Sequence, residues 1–263
     1  MTLKLNATRE AYREFYGRNI EQMPKLIADG RVPMSVAGLM QRRLNVRNSD
    51  ANVKTYYMDN YFDTGDAVAY HPDGRVKLVL DSKTLREMTP YTQRVGGALL
   101  LTEDVYNALQ GEEFKKGKLG KTGEWLTREQ VKAHPVWKVL ARDQSLLNDY
   151  VDYIFAEGKQ RFNDDTAMGV FTDSVENGPK LRAWCVDGLR GRSLAGGRYV
   201  LDADGGRLVG IAPEALSAPD KGASNIRAYT MADLQYFDSA VKGLESTVRP
   251  ELLEPFAQLR KKL

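Results

Sequence analysis

The sequence predicts an α+β protein in two parts, a small helical unit closed by a hairpin and a larger mixed α/β unit. Three observations carry that expectation. Apolar residues recur at helical spacing through residues 6 to 62, His71-Pro72-Asp73-Gly74 separates two short runs of strand character, and an amphipathic helix of about five turns stands near mid-chain. The composition agrees with a folded chain: 42% hydrophobic and 28% charged residues place it among ordinary globular proteins and away from disordered ones.

Residues 6 to 28 read as a first helix. Asn6 and Thr8 are candidate caps, and Ala11, Phe15, Ile20, Met23 and Leu26 share a face, with Gly30 as the stop. Pro33 opens a second, short helix over Met34 to Leu44, where Ser35 caps and Val36, Leu39, Met40 and Leu44 form one stripe. A polar interruption, Asn45 to Asp50, precedes a third helix from about Ala51 to Phe62, with Val53, Tyr57 and Tyr61 inward. Strands over Ala67 to Tyr70 and Arg75 to Leu80 then flank the Pro-Asp-Gly turn.

Beyond residue 95 the reading continues with a buried strand at Ala98 to Leu101 and a helix capped by Thr102. A charged, glycine-rich loop spans Glu112 to Gly123. Helices over Thr127 to His134 and Pro135 to Arg142 break at the proline. Ser145 to Phe162 carries Leu146, Leu147, Tyr150, Val151, Ile154 and Phe155 and is the strongest helical signal in the chain. An apolar strand surrounds Trp184, a second hairpin pairs Arg198 to Leu201 with Arg207 to Ile211, and two helices, Met231 to Leu244 and Pro250 to Leu263, end the chain. The expected division is a domain over 1–95 and a mixed α/β domain over 96–263.

Charge and cysteine usage narrow the chemistry. The 38 basic and 35 acidic residues leave a net charge of +3, so a polyanion partner has to be argued from a local surface. One cysteine, Cys185, excludes an internal disulfide framework and suits a reducing compartment. The longest aliphatic run, Ala98 to Leu101, is far below the roughly 20 residues of a membrane span, and the N-terminus lacks a signal-like apolar core. The expectation is a cytoplasmic protein with no membrane partner. Two histidines and one cysteine leave no structural zinc site, and no catalytic residue, metal ligand or cofactor is assigned.

The order of helices and hairpin in residues 8 to 80 resembles the winged helix-turn-helix family. The segment Ser35-Val36-Ala37-Gly38-Leu39-Met40-Gln41-Arg42-Arg43-Leu44-Asn45-Val46 carries the resemblance, followed by the turn to Asp50, the helix from Ala51 and the hairpin to Leu80. That resemblance implies a DNA-binding or regulatory protein. Arg42, Arg43, Arg47 and Lys54 would contact the phosphate backbone, Asn52 and Thr55 would read base edges, and Arg75 and Lys77 would sit on the wing. Asp50 and Asp59 oppose it, because carboxylates are repelled by phosphates. The whole chain also resembles a group of archaeal proteins of no assigned activity, through Met58-Asp59-Asn60-Tyr61-Phe62-Asp63-Thr64-Gly65-Asp66 and His134-Pro135-Val136-Trp137.

Other readings stay open beside double-stranded DNA. The helical unit could contact another protein or a second copy, marked by exposure of Tyr56 and Met58 on the third helix. Arg190, Arg192 and Arg198 around Gly196-Gly197 form a candidate anion loop, or an ordinary surface loop. A metal-dependent nuclease or hydrolase would draw on Asp73, Glu113 and Lys115, although Asp73 also suits its turn. Gly120-Lys121-Thr122 lacks the earlier glycine of a phosphate loop, since residue 115 is a lysine.

Overall fold

In the computed structural model, which describes residues 10–119, 122–173, 178–189 and 193–217, one twelve-stranded sheet organises the described chain. Its strands are β1 (Tyr12–Tyr16), β2 (Val32–Pro33), β3 (Phe62–Tyr70), β4 (Arg75–Val79), β5 (Arg94–Val95), β6 (Ala98–Leu100), β7 (Glu112–Lys115), β8 (Trp125–Leu126), β9 (Met168–Phe171), β10 (Lys180–Val186), β11 (Ser193–Gly196) and β12 (Arg207–Ile211). Helices α1 (Asn19–Ala28), α2 (Val36–Asn45), α3 (Ala51–Asp59), α4 (Lys83–Arg86), α5 (Glu103–Ala108), α6 (Arg128–Ala133), α7 (Pro135–Ala141), α8 (Gln144–Phe162) and α9 (Pro213–Ser217), with short 3-10 turns at Val46–Asn48 and Lys116–Lys118, complete the described elements. The chain divides into two units, Met1–Pro219 and Asp220–Leu263. The second unit, including both expected terminal helices, lies outside the described residues.

The antiparallel pair β3–β10 forms the middle of the sheet, with Ala67 opposite Ala183 and Lys180 opposite Tyr70. From this pair the main path runs β1-β12-β3-β10-β11-β9-β8. Both sheet faces are covered. Val68, Tyr70, Trp184, Val209 and Ile211 pack into one core with residues of α2, α7 and α8, while Ala67, Ala69, Leu181, Ala183 and Leu208 pack into a second with residues of α1 and α4. Burial on both faces explains why every residue of β3 is buried.

That burial corrects the hairpin expectation. The Pro-Asp-Gly turn forms where expected, but β3 and β4 are not a protruding wing: β3 also pairs with β10 and β12, and β4 also pairs with β7. The expected boundary near residue 95 falls inside this shared sheet.

Several helical expectations match the structure. Ser35 caps α2 by accepting from the Gly38 amide at 3.0 Å, and α8 runs one residue longer than expected. Three segments differ. Residues 12–16 form a strand, because Tyr12, Glu14 and Tyr16 alternate with Arg13 and Phe15, and Gly17 at φ +123° ends that period before α1 begins. Glu112–Lys115, at the start of the expected charged loop, is an edge strand, with Glu113 opposite Lys77 and Lys115 opposite Arg75 of β4. Residues 198–201 form no strand, and β12 takes β1 as its partner instead.

Candidate ligand-binding face

The alternation in β1 sends Tyr12, Glu14 and Tyr16 to one face of the sheet, and Arg13 and Phe15 to the other. Phe15 packs with Met23 and Leu26 of α1. On the opposite face, α3 crosses near β1. Asp50 caps it by accepting from the Asn52 amide at 2.9 Å, and its last turn brings Tyr56 and Tyr57 beside β1. Tyr57 is anchored by stacking on Phe62, with ring centroids 5.6 Å apart.

Two arginines tie these tyrosines into a strip. The Arg42 guanidinium, from the last turn of α2, lies 4.2 Å from the Tyr12 ring centre and 4.9 Å from that of Tyr57. Arg207, at the start of β12 and directly opposite Tyr16, lies 5.4 Å from the Tyr16 ring and 5.8 Å from the rings of both Tyr56 and Tyr61. Its Nε meets Glu14 Oε1 at 3.0 Å. Each such cation–ring contact contributes on the order of 1 kcal/mol. Tyr61 donates to the Gly205 carbonyl, which fixes the far end of the strip. Burial raises the Tyr56 phenol above its usual range, with Glu14 adding to the effect, so Tyr56 stays a neutral hydrogen-bonding group near neutral pH.

The strip borders an open cleft of about 530 Å³ lined by Tyr12, Glu14, Arg42, Asn52, Val53 and Tyr56 among others. Tyr16 is 57% exposed and Val53 37%. Toward the other face of β1, Phe15, Gln22, Lys25 and Asp29 border a second open cleft of about 510 Å³ that also reaches Glu14 and Tyr16 at the strand edge.

Of the residues expected to contact DNA, Arg42 and Asn52 meet in this cleft, together with Tyr56 of the protein-contact reading. Arg43 is wholly buried. It donates to the carbonyls of Tyr57 at 2.8 Å, Asn60 at 3.1 Å and Asp187 at 3.0 Å, and to the Tyr150 hydroxyl at 2.7 Å. No phosphate can reach it. Lys77 is also buried, and its ammonium donates to the carbonyls of Tyr106, Asn107 and Leu109 at the end of α5. Lys54 pairs with Glu157 at 2.8 Å beside the exposed Thr55, Arg47 is exposed after α2, and Arg75 pairs with Asp73 at 2.7 Å. Met58, whose exposure with Tyr56 would mark a protein-contact helix, is buried, and Tyr56 is half-buried.

The candidate anion loop is only partly described. Arg190 and Arg192 lie outside the described residues. Arg198 is exposed, with its guanidinium 4.6 Å from the Phe171 ring centre. Gly196 and Gly197 have a packing reason for being glycines. A Cβ on Gly196 would strike the Tyr199 ring and one on Gly197 the Tyr70 hydroxyl. The carboxylates of the hydrolase reading are also spoken for: Asp73 bonds Arg75 and His71, which lowers its pKa to about 2, and Glu113 lies 3.8 Å from Lys77. Among the described residues no group of three or more His, Cys, Asp or Glu is placed to hold a metal ion.

Tyr12, Glu14 and Tyr16 are not legible as site residues because residues 6 to 28 match a helical period, and Arg207, in an expected strand, has no local mark that ties it to them. The period-2 run Tyr12-Arg13-Glu14-Phe15-Tyr16 before Gly17 was the available signal.

The architecture is similar to that of a solved Nanoarchaeota structure described as "Accommodation of massive sequence variation in Nanoarchaeota by the C-type lectin fold", with a TM-score of 0.58 and 16% sequence identity. The match covers 78% of this chain and 99% of that one. The likeness is to the C-type lectin fold. At that identity it concerns fold alone. No family model and no curated relative matches the chain. The lectin-like fold overturns the expected winged helix-turn-helix DNA-binding function, and the geometry gives the reason. The first strand of the would-be wing lies in the middle of the sheet, and the would-be phosphate contact Arg43 and the would-be wing residue Lys77 are buried structural cations. Among the described residues no helix is long and apolar enough to cross a membrane.

Proposed function

We propose that this chain is a binding protein whose lectin-like sheet presents the Tyr12–Arg42–Tyr56–Arg207 strip to a protein or peptide ligand. One observation carries the reading: Arg42 sits between Tyr12 and Tyr57, Arg207 beside Tyr16 and Tyr56, and an edge contact of Tyr56 with Tyr57, ring centroids 5.1 Å apart, joins the two groups into one partly exposed row. Tyrosine and arginine are the residues most enriched where protein interfaces concentrate their binding energy, because they bury large area and still offer directed hydrogen bonds. The row is also preorganised. Arg42 and Arg207 are held between rings in the free protein, so little rotamer entropy remains to be lost on binding. The Nanoarchaeota neighbour supports the same reading at the level of scaffold, since its fold is described as accommodating massive sequence variation. A sheet stabilised by two cores leaves its edge strand β1 free to carry recognition residues.

The test is a screen of the intact protein on peptide and glycan arrays beside Arg42→Ala and Tyr56→Ala. The expected result is a peptide ligand whose affinity falls roughly tenfold or more in either variant, while both keep the parent's near-ultraviolet circular dichroism. Ligands retained equally by all three proteins, or glycans alone, would contradict the proposal.

A further inference from the structure

β1 is the last strand of the main sheet path, and β12 is its one partner among the described residues. The register fixes which of its backbone groups are used. Ala212 donates to the Ala11 carbonyl and Gly17 donates to the Gly206 carbonyl, both at 2.9 Å. Antiparallel pairing alternates, so Arg13 and Phe15 turn their amides and carbonyls toward β12, and Tyr12, Glu14 and Tyr16 turn theirs away. An outward row of three amides and three carbonyls results. That row lies between the two open clefts, one on each face of β1. An added strand puts successive side chains on alternate faces, so each cleft would receive every second side chain.

Arg42 specifies the chemistry further. Its Nε is buried and has no hydrogen-bond acceptor, and no ion pair links it to a carboxylate among the described residues. Of the two acids lining the cleft, Glu14 is committed to Arg207, and Glu10 makes no ion pair with Arg42. A carboxylate arriving from outside would complete Arg42 with a charge-assisted bond.

Resting on the binding face proposed above, we infer that β1 captures an extended peptide as an added strand, with an acidic side chain of that peptide reaching Arg42. The recognition mode is main-chain pairing for affinity and alternate-side-chain clefts for specificity. A second copy of this chain fits less well. Antiparallel self-pairing through the three outward residues centres Glu14 on Glu14, setting like charges opposite each other.

The probes are capped peptides of about seven residues, alternating valine and threonine, with glutamate, glutamine or lysine at the centre. Binding to the intact protein is read by fluorescence anisotropy. The glutamate peptide should bind roughly tenfold more tightly than the glutamine peptide, and the lysine peptide most weakly. Arg42→Gln should erase the glutamate preference. Glu14→Ala keeps the outward amide and Glu14→Pro removes it without touching the β12 ladder, so Glu14→Pro should bind roughly tenfold more weakly than Glu14→Ala. Peptides N-methylated on alternate amides should lose binding to the parent protein, a readout that needs no variant. Equal binding by Glu14→Pro and Glu14→Ala, or by methylated and unmethylated peptides, overturns strand addition. If array ligands still depend on Arg42 and Tyr56 in that case, the binding face survives without it. A concentration-dependent dimer abolished by Glu14→Pro would replace the peptide with a second copy and overturn the inference as stated.

Discussion

Arg43 donates to the hydroxyl of Tyr150 at 2.7 Å across 107 residues of sequence, joining α2 to α8 inside the core. The remaining guanidinium donors go to the carbonyls of Tyr57, Asn60 and Asp187. Arg43 therefore closes the ends of α3 and β10 onto one cation. The planar fork suits this task, since it reaches several acceptors from a fixed geometry.

Replacing Arg43 by alanine should cost about 3–5 kcal/mol, because three carbonyls and a phenol lose their donor in a closed site. Lysine should rescue only a small part, lacking the fork. Urea unfolding of both variants checks this, and a loss under ~1 kcal/mol in Arg43→Ala would show that the site reorganises or admits water.

Asp63 provides a pH test. Burial raises its pKa from 3.8 to about 6, against the lowering effect of the Arg207 amide and Asn19, while Asp187 adds to the rise. The folded state thus favours the protonated acid more than the unfolded chain does. Its contribution is fully present below pH 3.8 and is lost as pH rises through about 6. That difference corresponds to roughly 3 kcal/mol. Between pH 4 and 7, Asp63→Asn should gain stability relative to the parent by an amount of this order. Parallel stability–pH curves for the two proteins would contradict the assignment.

Lys77 caps the end of α5 through three carbonyls. Lys77→Met keeps the buried stem and removes the cation, so a loss of about 1–2 kcal/mol is expected. Thermal unfolding at matched ionic strength measures it, and an unchanged melting temperature would mean that the carbonyls find water.

Gly206 allows β1 and β12 to close. A Cβ there would strike the Gly17 carbonyl and approach Asn19. Gly206→Ala should cost about 1–3 kcal/mol and speed amide exchange in residues 12–16 selectively. Faster exchange spread evenly over the described sheet would contradict the local effect.

Much of the helical layer was legible because its cues are local: Ser35 before α2, Thr102 before α5, Pro135 opening α7, and the stripe of α8. The sheet was less legible. β3 reads as a mixed run because Asp63, Thr64 and Asp66 are buried polar residues satisfied by distant partners, Arg207, Trp184 and Val36 among them. No local pattern announces such partners. The same holds for Arg43, which beside Arg42 looks like a solvated pair and is instead divided from it: one faces the tyrosine strip, the other the core. The candidate face joins β1, the end of α2, α3 and the start of β12, nearly 200 residues apart in sequence, so only the sheet register assembles it.

The open edge itself is the point on which the binding account rests, and hydrogen–deuterium exchange resolved to single amides in the ligand-free intact protein measures it. The account predicts that the amides of Tyr12, Glu14 and Tyr16 exchange fast while those of Arg13 and Phe15 are protected, with the three fast amides slowing when a glutamate-centred peptide is added. Protection of all five in the free protein would contradict it, because the edge would already be covered.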